Sequence, residues 1–484
     1  MRLHLLAAAT ALTLALAGCA SSGGMHPDGT ALDAASLKTS QSLAGVPLSP
    51  AAWPRSDWWS ALGDPPLDAL ISEALQHNPG LAVADARARG AQAQVGMADA
   101  ARGPSVTAGA SVAGARLPAA VPIGSGHFGL AKYADVSFKW GVDLWGGKRD
   151  AWQAALGASR AAQIDARAAR IELSGNVARA YAQLGYAFAQ QDLAAGELKR
   201  ANQSRELTQQ RVSAGIDNQI VLKQADGEVA GAEQDAAVTA RAVDAARSAL
   251  SVLLGKGPDR GLEIARPRVL TPAELAVPSN LSIDLLGHRA DLVAARWRVE
   301  AASKDIKSAK TEFLPNISIG AMAGVIALGG GNPLSLPSRF FEGGPSLSLP
   351  IFDGGRLRAN LTGKDAQYDL AVAQYNQTLV GALNEVADDV SALQSLQQQM
   401  QAQQRAQTAA RQAWDLALQR YKAGIGSYLE ALSVRQQLLL ANRGMAALQA
   451  QQVDRSVLLI EALGGGYQPQ ADAPTPPSST PSRS

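Results

Sequence analysis

One pattern is written twice in this chain, about half its length apart, and it limits the architectures open to the chain. Near the end stands Arg420-Tyr421-Lys422-Ala423-Gly424-Ile425-Gly426-Ser427-Tyr428-Leu429-Glu430. Earlier stands Arg211-Val212-Ser213-Ala214-Gly215-Ile216-Asp217-Asn218-Gln219-Ile220-Val221. In each, an alanine-rich helical run stops at Ala-Gly, turns within a few residues and gives way to a second helical run. Glycine just past a helix takes the left-handed conformation without a Cβ penalty, so both stretches are expected to be tips of helical hairpins. The duplication extends further. Leu75-Gln76-His77-Asn78-Pro79-Gly80-Leu81 returns as Leu286-Gly287-His288-Arg289-Ala290-Asp291-Leu292, and Pro104 as Pro315. Trp145-Gly146-Gly147-Lys148 returns as Phe352-Asp353-Gly354-Gly355-Arg356. A repeat on this scale sets the fold.

Within each repeat the hydrophobic period changes. A helix is expected over residues 65–102, opened by Pro65-Pro66 and ended by Gly103-Pro104. Residues 105–114 then alternate, as do residues 135–145, where Val136, Phe138, Trp140, Val142 and Leu144 oppose Asp135, Ser137, Lys139, Gly141 and Asp143. These are strands with one apolar and one polar face. A helix without proline follows over 148–213, about 100 Å long at 1.5 Å per residue. After the Gly215 tip, residues 219–254 carry a 3-4 seam of Leu222, Ala225, Val229, Ala232, Ala236, Thr239, Val243, Ala246, Leu250 and Leu253, the spacing of coiled-coil packing. In the second repeat, Ile317 to Val325 and Leu347, Leu349 and Ile351 supply two more strands. Residues 115–134 and 327–344 are the expected outer loops.

The lengths combine into a shape. Two shorter helices of about 36 residues equal the long one in sum, so they can stack end to end beside it. Strands then lie at one end of a cylinder, tips at the other, with the linkers as a belt between. A strand of about ten residues with one apolar face suits a membrane-spanning β-strand. Four such strands cannot close a barrel, and open edges are not tolerated in lipid, so oligomerisation is expected: eight strands from a dimer or twelve from a trimer.

The chain holds one cysteine, Cys19, at the end of Leu16-Ala17-Gly18-Cys19. Arg2, an apolar run from Leu5 to Ala17 and small residues before Cys19 form a secretory signal. The ending resembles a bacterial lipobox, in which the cysteine takes a diacylglycerol and, after cleavage, an N-acyl chain. Ala20 at the next position lacks the inner-membrane retention aspartate. The expected organisation is therefore a signal peptide over 1–18, a lipid-anchored tether over 19–64, repeat 1 over 65–264 and an equatorial linker over 265–282. Repeat 2 takes 283–466, and a disordered Pro/Ser/Thr-rich tail takes 467–484.

These residues together resemble the TolC-like outer membrane factor family, in particular the lipoprotein channels of resistance–nodulation–division efflux pumps. Leu16 to Cys19, Trp58-Trp59, Gly63-Asp64-Pro65, Leu67, Ala74-Leu75, Asn78-Pro79, Leu81, the two Gly-Gly joints and Tyr421 to Glu430 carry the likeness. It implies a mainly α fold: a homotrimer with a 12-stranded outer-membrane barrel, four strands per chain, joined to a long periplasmic coiled-coil conduit. The implied partners are a periplasmic adaptor (membrane fusion) protein and an inner-membrane transporter. The adaptor would meet the tips at Gly215, Ile216, Gly424 and Ile425. In such channels the second hairpin closes the periplasmic end. Tyr421 matches a gating aromatic, Glu430 falls on the first of two acidic positions, and Ser433 stands at the second. Gly426 occupies a place where some members carry a basic partner. Val221 stands where Glu430 does in the other repeat, so only one hairpin supplies an acid at this position. An acid in the first turn of a helix is also favoured by the dipole alone.

Other functions find little support. Basic and acidic residues are interspersed, with a net charge of +2, so nucleic acid is not an expected partner. His4, His26, His77, His127 and His288 show no metal-ligand spacing, and no phosphate loop or catalytic constellation stands out. The expectation is a passive exit duct without cofactor, not an enzyme. A lipid-anchored periplasmic scaffold or adaptor is the alternative; it would need the helices but not the four strands.

Overall fold

A computed structural model of the chain describes residues 21–39, 41–44, 53–116, 128–268, 270, 277–278, 281–328 and 331–468. The predicted lipid-bearing Cys19 and the tail beyond 468 lie outside them. The elements run α1 (Pro65–His77), α2 (Pro79–Ala100), β1 (Ser105–Arg116), β2 (Phe128–Val142), α3 (Gly147–Ser213) and α4 (Gln219–Leu253). After a four-residue α5 (Asp259–Leu262) come α6 (Leu281–His288), α7 (Ala290–Thr311), β3 (Asn316–Leu328), β4 (Arg339–Ser348), α8 (Arg356–Lys422) and α9 (Tyr428–Ala462). Three pairs of corresponding helices have equal lengths: 22 residues for α2 and α7, 67 for α3 and α8, 35 for α4 and α9. Contacts divide the chain into two compact units, one from Met1–Ala31, Arg87–Gln163 and Ala294–Asn376, the other from Leu32–Ala86, Ile164–Val293 and Gln377–Ser484. Each unit draws on both sequence repeats.

The first unit holds an antiparallel sheet in the order β1-β2-β3-β4. Register settles which side chains share a face. Val106 lies opposite Phe138 and Phe138 opposite Ala321; Val136 lies opposite Ala323, and Ala323 opposite Phe341. Trp140 pairs with Ile319, and Ile317 with Leu347. Directly paired residues point the same way, so these side chains form one apolar face. Val106, Val112, Val136, Phe341 and Leu347 on it are exposed. The opposite face is polar, with Thr107 and Ser137 hydroxyls 2.7 Å apart and Ser318 and Ser346 likewise 2.7 Å apart.

The strand boundaries differ from expectation. β2 begins at Phe128 and ends at Val142, and β4 spans Arg339–Ser348 instead of centring on Leu347 to Ile351. With β1 reaching Arg116 and β3 reaching Leu328, all four strands run into stretches expected to be outer loops. Glycine and small residues there obscured the alternation, but the ladder to β3 continues to Ala131 and Arg339. Pro350 has no N–H to give a ladder and lies beyond the end of β4.

The second unit is helical. Its core gathers Leu67, Ile71 and Ala74 of α1, Val177, Tyr181 and Leu184 of α3, and Leu250 with Leu254 at the end of α4, all at most 1% exposed. The Gly63-Asp64-Pro65 motif has a local job here. Asp64 caps α1 by accepting from the Leu67 amide and takes the buried Tyr181 hydroxyl at 3.3 Å. On α4 the predicted seam is the packed side: Leu222, Ala225, Ala232, Val243 and Leu250 are buried. Thr239 satisfies its hydroxyl on the Asp235 and Ala236 carbonyls. The single helix expected over 65–102 is two helices. Pro79 disfavours helical geometry at the residue before it, and Asn78 is extended (φ −66°, ψ 122°). The Asn78 side chain occupies the break, donating to the Leu253 carbonyl and accepting from the Gly80 amide.

Candidate functional site at the hairpin tips

Both tips belong to the helical unit and are built alike. α3 ends in Gly215 (φ 72°) with the Ile216 amide returning to the Arg211 carbonyl at 2.9 Å. α8 ends in Gly424 (φ 76°) with the Ile425 amide returning to the Arg420 carbonyl at 3.1 Å. These six-to-one bonds and the left-handed glycine are the Schellman arrangement that closes a helix. The next helices are capped by side chains: Asn218 accepts from Ile220 and Val221, and Ser427 accepts from Glu430. The two tip isoleucines stay out, Ile216 at 63% and Ile425 at 70% exposure.

Tyr421 ties the second hairpin to the first. It is 2% exposed, and its hydroxyl donates to Asp217 Oδ2 at 3.2 Å and lies 3.3 Å from Thr208 Oγ1. Arg211 stands over its ring at 4.7 Å and also donates Nε to Asp217 at 2.8 Å. One carboxylate thus joins the turn of the first hairpin to the last turn of α8. Hydrogen bonding from Arg211 holds the Asp217 carboxyl below its ordinary range, while burial raises the Tyr421 phenol. Tyr428 packs against Tyr421 with ring centroids 5.7 Å apart and donates to Glu228 of α4.

A second tie lies further from the tips. Glu197 of α3 is 8% exposed and accepts from Arg200 at 2.7 Å and from Arg435 of α9 at 2.7 Å. Arg200 also pairs with Glu228. Trp414 of α8 has Arg200 5.9 Å and Arg435 5.4 Å from its ring. Burial raises the Glu197 carboxyl, but the two guanidinium partners outweigh it and leave the group lowered. Four helices meet in this network.

Of the residues singled out from sequence, Tyr421 is in the buried contact and Glu430 and Ser433 are not. Glu430 is half exposed, with Arg420 Nε 3.8 Å from its carboxylate, and Ser433 is exposed on α9. Gly426 could not be basic without moving the turn: a Cβ there would sit 3.0 Å from Arg420 Cβ and 3.2 Å from the Tyr421 nitrogen. Arg420 supplies a cation beside Glu430 instead. Asp217, Arg211, Thr208, Glu197, Arg200, Glu228, Arg435 and Trp414 were not picked out. The spacing of Arg211 and Asp217 across a tight turn was a usable signal; the pairing of Glu197 with Arg435 was not, because 238 positions separate them.

Long helical hairpins tied at their tips, with a four-stranded sheet bearing one apolar face, define a subunit of the TolC type of outer-membrane channel. The chain belongs to the outer membrane efflux protein family, whose model matches residues 70–256 and 281–465. It is 36% identical to the fusaric acid resistance protein FusA of Burkholderia cepacia, over 74% of this chain and 69% of that one. It is 30% identical to the multidrug resistance outer membrane protein MdtP of Escherichia coli K12, over 87% and 89%. The crystal structure of the outer membrane protein VceC from Vibrio cholerae superposes with a TM-score of 0.78 at 35% identity, covering 86% of this chain and all of that one. The protein is an efflux exit channel of the outer membrane.

Proposed function

We propose that three copies of this chain form the duct, each giving four strands to a 12-stranded barrel and two hairpins to a helical conduit. The observation that carries this is the sheet: β1 and β4 each have one unpaired edge, and the face that would meet lipid is apolar. In a bilayer those edges need partners, and copies of the same chain supply them. α4 supports the same reading on its unpacked side. Ile220, Gln224, Gly227, Gly231, Gln234 and Val238 recur there at 3-4 spacing and are exposed, a narrow seam whose two glycines leave room for a neighbouring helix.

Residues 65–264 and 283–466 act as the two repeats of each protomer, with 265–282 between them. Cys19 carries the diacylglycerol and N-acyl chains after removal of residues 1–18. The tips close the periplasmic end through the Tyr421 contact, and Glu430 of three copies, with Ser433 one turn on, surrounds the exit axis and favours cations. An adaptor protein engages Gly215, Ile216, Gly424 and Ile425 and draws the second hairpin outward. The inner-membrane transporter it serves is of the resistance–nodulation–division type and provides the energy; this chain conducts passively. Native mass measurement of the protein extracted from outer membranes tests the assembly. A mass of three chains, each acylated at Cys19, is the expected result. A monomer released without detergent would overturn it.

A further inference from the structure

The N-terminal stretch before Leu32 belongs to the sheet-containing unit and lies along α8. Arg358 Nε donates to the Ser21 carbonyl at 3.2 Å, the Gly29 amide donates to Asp369 Oδ1 at 2.6 Å, and Asn376 Nδ2 donates to the Thr30 carbonyl at 2.9 Å. Ser21 to Thr30 therefore follows α8 from Arg358 to Asn376, about 27 Å of helix rise, with one turn on the way where the Met25 amide donates to the Ser22 carbonyl at 3.2 Å. The seat is a ladder on one helix face: Leu357, Leu361, Asp365, Asp369 and Val372 follow at spacings of four and three. Met25 packs on Leu357 and Leu361 together with Ile306, Ala309 and Phe313. Gly29 reaches the other end so closely that a Cβ would stand 3.1 Å from Asp369 Cα and 3.2 Å from Val372 Cβ.

Between those two ends lies Asp365. It is 7% exposed, and its Oδ1 has no hydrogen-bond partner among the described residues. An ionised carboxylate in that position costs free energy that its protonated form avoids. We propose that residues 21–31 form a proton-controlled strap, seated on α7 and α8 while Asp365 is neutral and loosened when it ionises.

Charged groups on α7, on α8 and on the strap act on Asp365. Lys310 of α7 favours the carboxylate, as does His26 of the strap; Asp369 of α8 and Asp28 of the strap oppose it. Burial is the largest influence, and the balance raises the Asp365 carboxyl above its ordinary value. A group raised in the seated state binds its proton more tightly there. Seating is therefore strongest below the ordinary carboxylate value and weakens as pH rises through the raised one. Because Ser21 is two residues from Cys19, the strap governs how much slack separates the lipid-bearing position from the helices.

Amide hydrogen exchange of residues 22–31 in the full chain, with labelling times scaled to the intrinsic rate, tests this between about pH 4 and about pH 8. Protection is expected to fall across the range by at most ~10-fold per pH unit and then level off. Asp365→Asn should keep the acid-level protection throughout. Gly29→Ala, which spoils the seat without touching the carboxylate, should lose protection at both ends. Protection that is flat with pH in the unaltered chain, or a pH response that survives in Asp365→Asn, overturns the proton control. Full protection in Gly29→Ala overturns the seat itself.

Discussion

Tyr421 can act as a lock because its ring and hydroxyl are held by different groups of the opposite hairpin. Tyr421→Phe keeps the ring under Arg211 and removes the bond to Asp217. A hydrogen bond to a carboxylate is worth about 1.5–3 kcal/mol, so the open fraction should rise about 10- to 150-fold, read as single-channel open probability. Asp217→Asn also weakens the Arg211 pair and should open the tip further. Because the Asp217 carboxyl is lowered, the contribution of its ion pair is complete above the ordinary carboxylate value and is lost only as pH falls through the lower one. Acidification from about pH 7 to about pH 5 should therefore leave the lock closed. Glu430 has a different expected effect: Glu430→Gln should reduce cation preference and leave the Tyr421 contact intact. Resemblance singled out both Tyr421 and Glu430 in the sequence, and for Glu430 the helix dipole alone was a sufficient reason. The sequence could not show Asp217 as the shared acceptor, since that depends on two turns 204 residues apart meeting in space.

At the scale of elements, helices were legible because each is long, periodic and punctuated by glycine or proline. What was missed follows local chemistry that periodicity does not carry: the break at Asn78, and strands that continue through glycine-rich sequence by pairing alone. A buried carboxylate near the end of α9 was also invisible. Glu461 has an oxygen without a partner, and burial pushes the group up to about 7 despite nearby Arg179. The sign follows from the raised value: this group supports the fold below its ordinary range, and that support is lost as pH rises through about 7. Glu461→Gln should therefore raise the midpoint of thermal unfolding at about pH 8 more than at about pH 5. Equal shifts at both would show that the side chain is solvated in the assembled protein.

For the whole molecule, the strands and the tips make separate demands on a neighbour. An amphipathic four-stranded sheet needs closure in lipid, which a solitary chain of four strands cannot supply. Conduction therefore requires an assembly, with the tips as its proposed gate. Planar-bilayer recording of the purified outer-membrane protein tests it most directly. Discrete steps of fixed conductance, mostly closed in the unaltered protein and open for longer in Tyr421→Phe, are the predicted result. Absence of steps from a detergent-stable trimer, or steps whose open probability is unchanged by both Tyr421→Phe and Asp217→Asn, would contradict it.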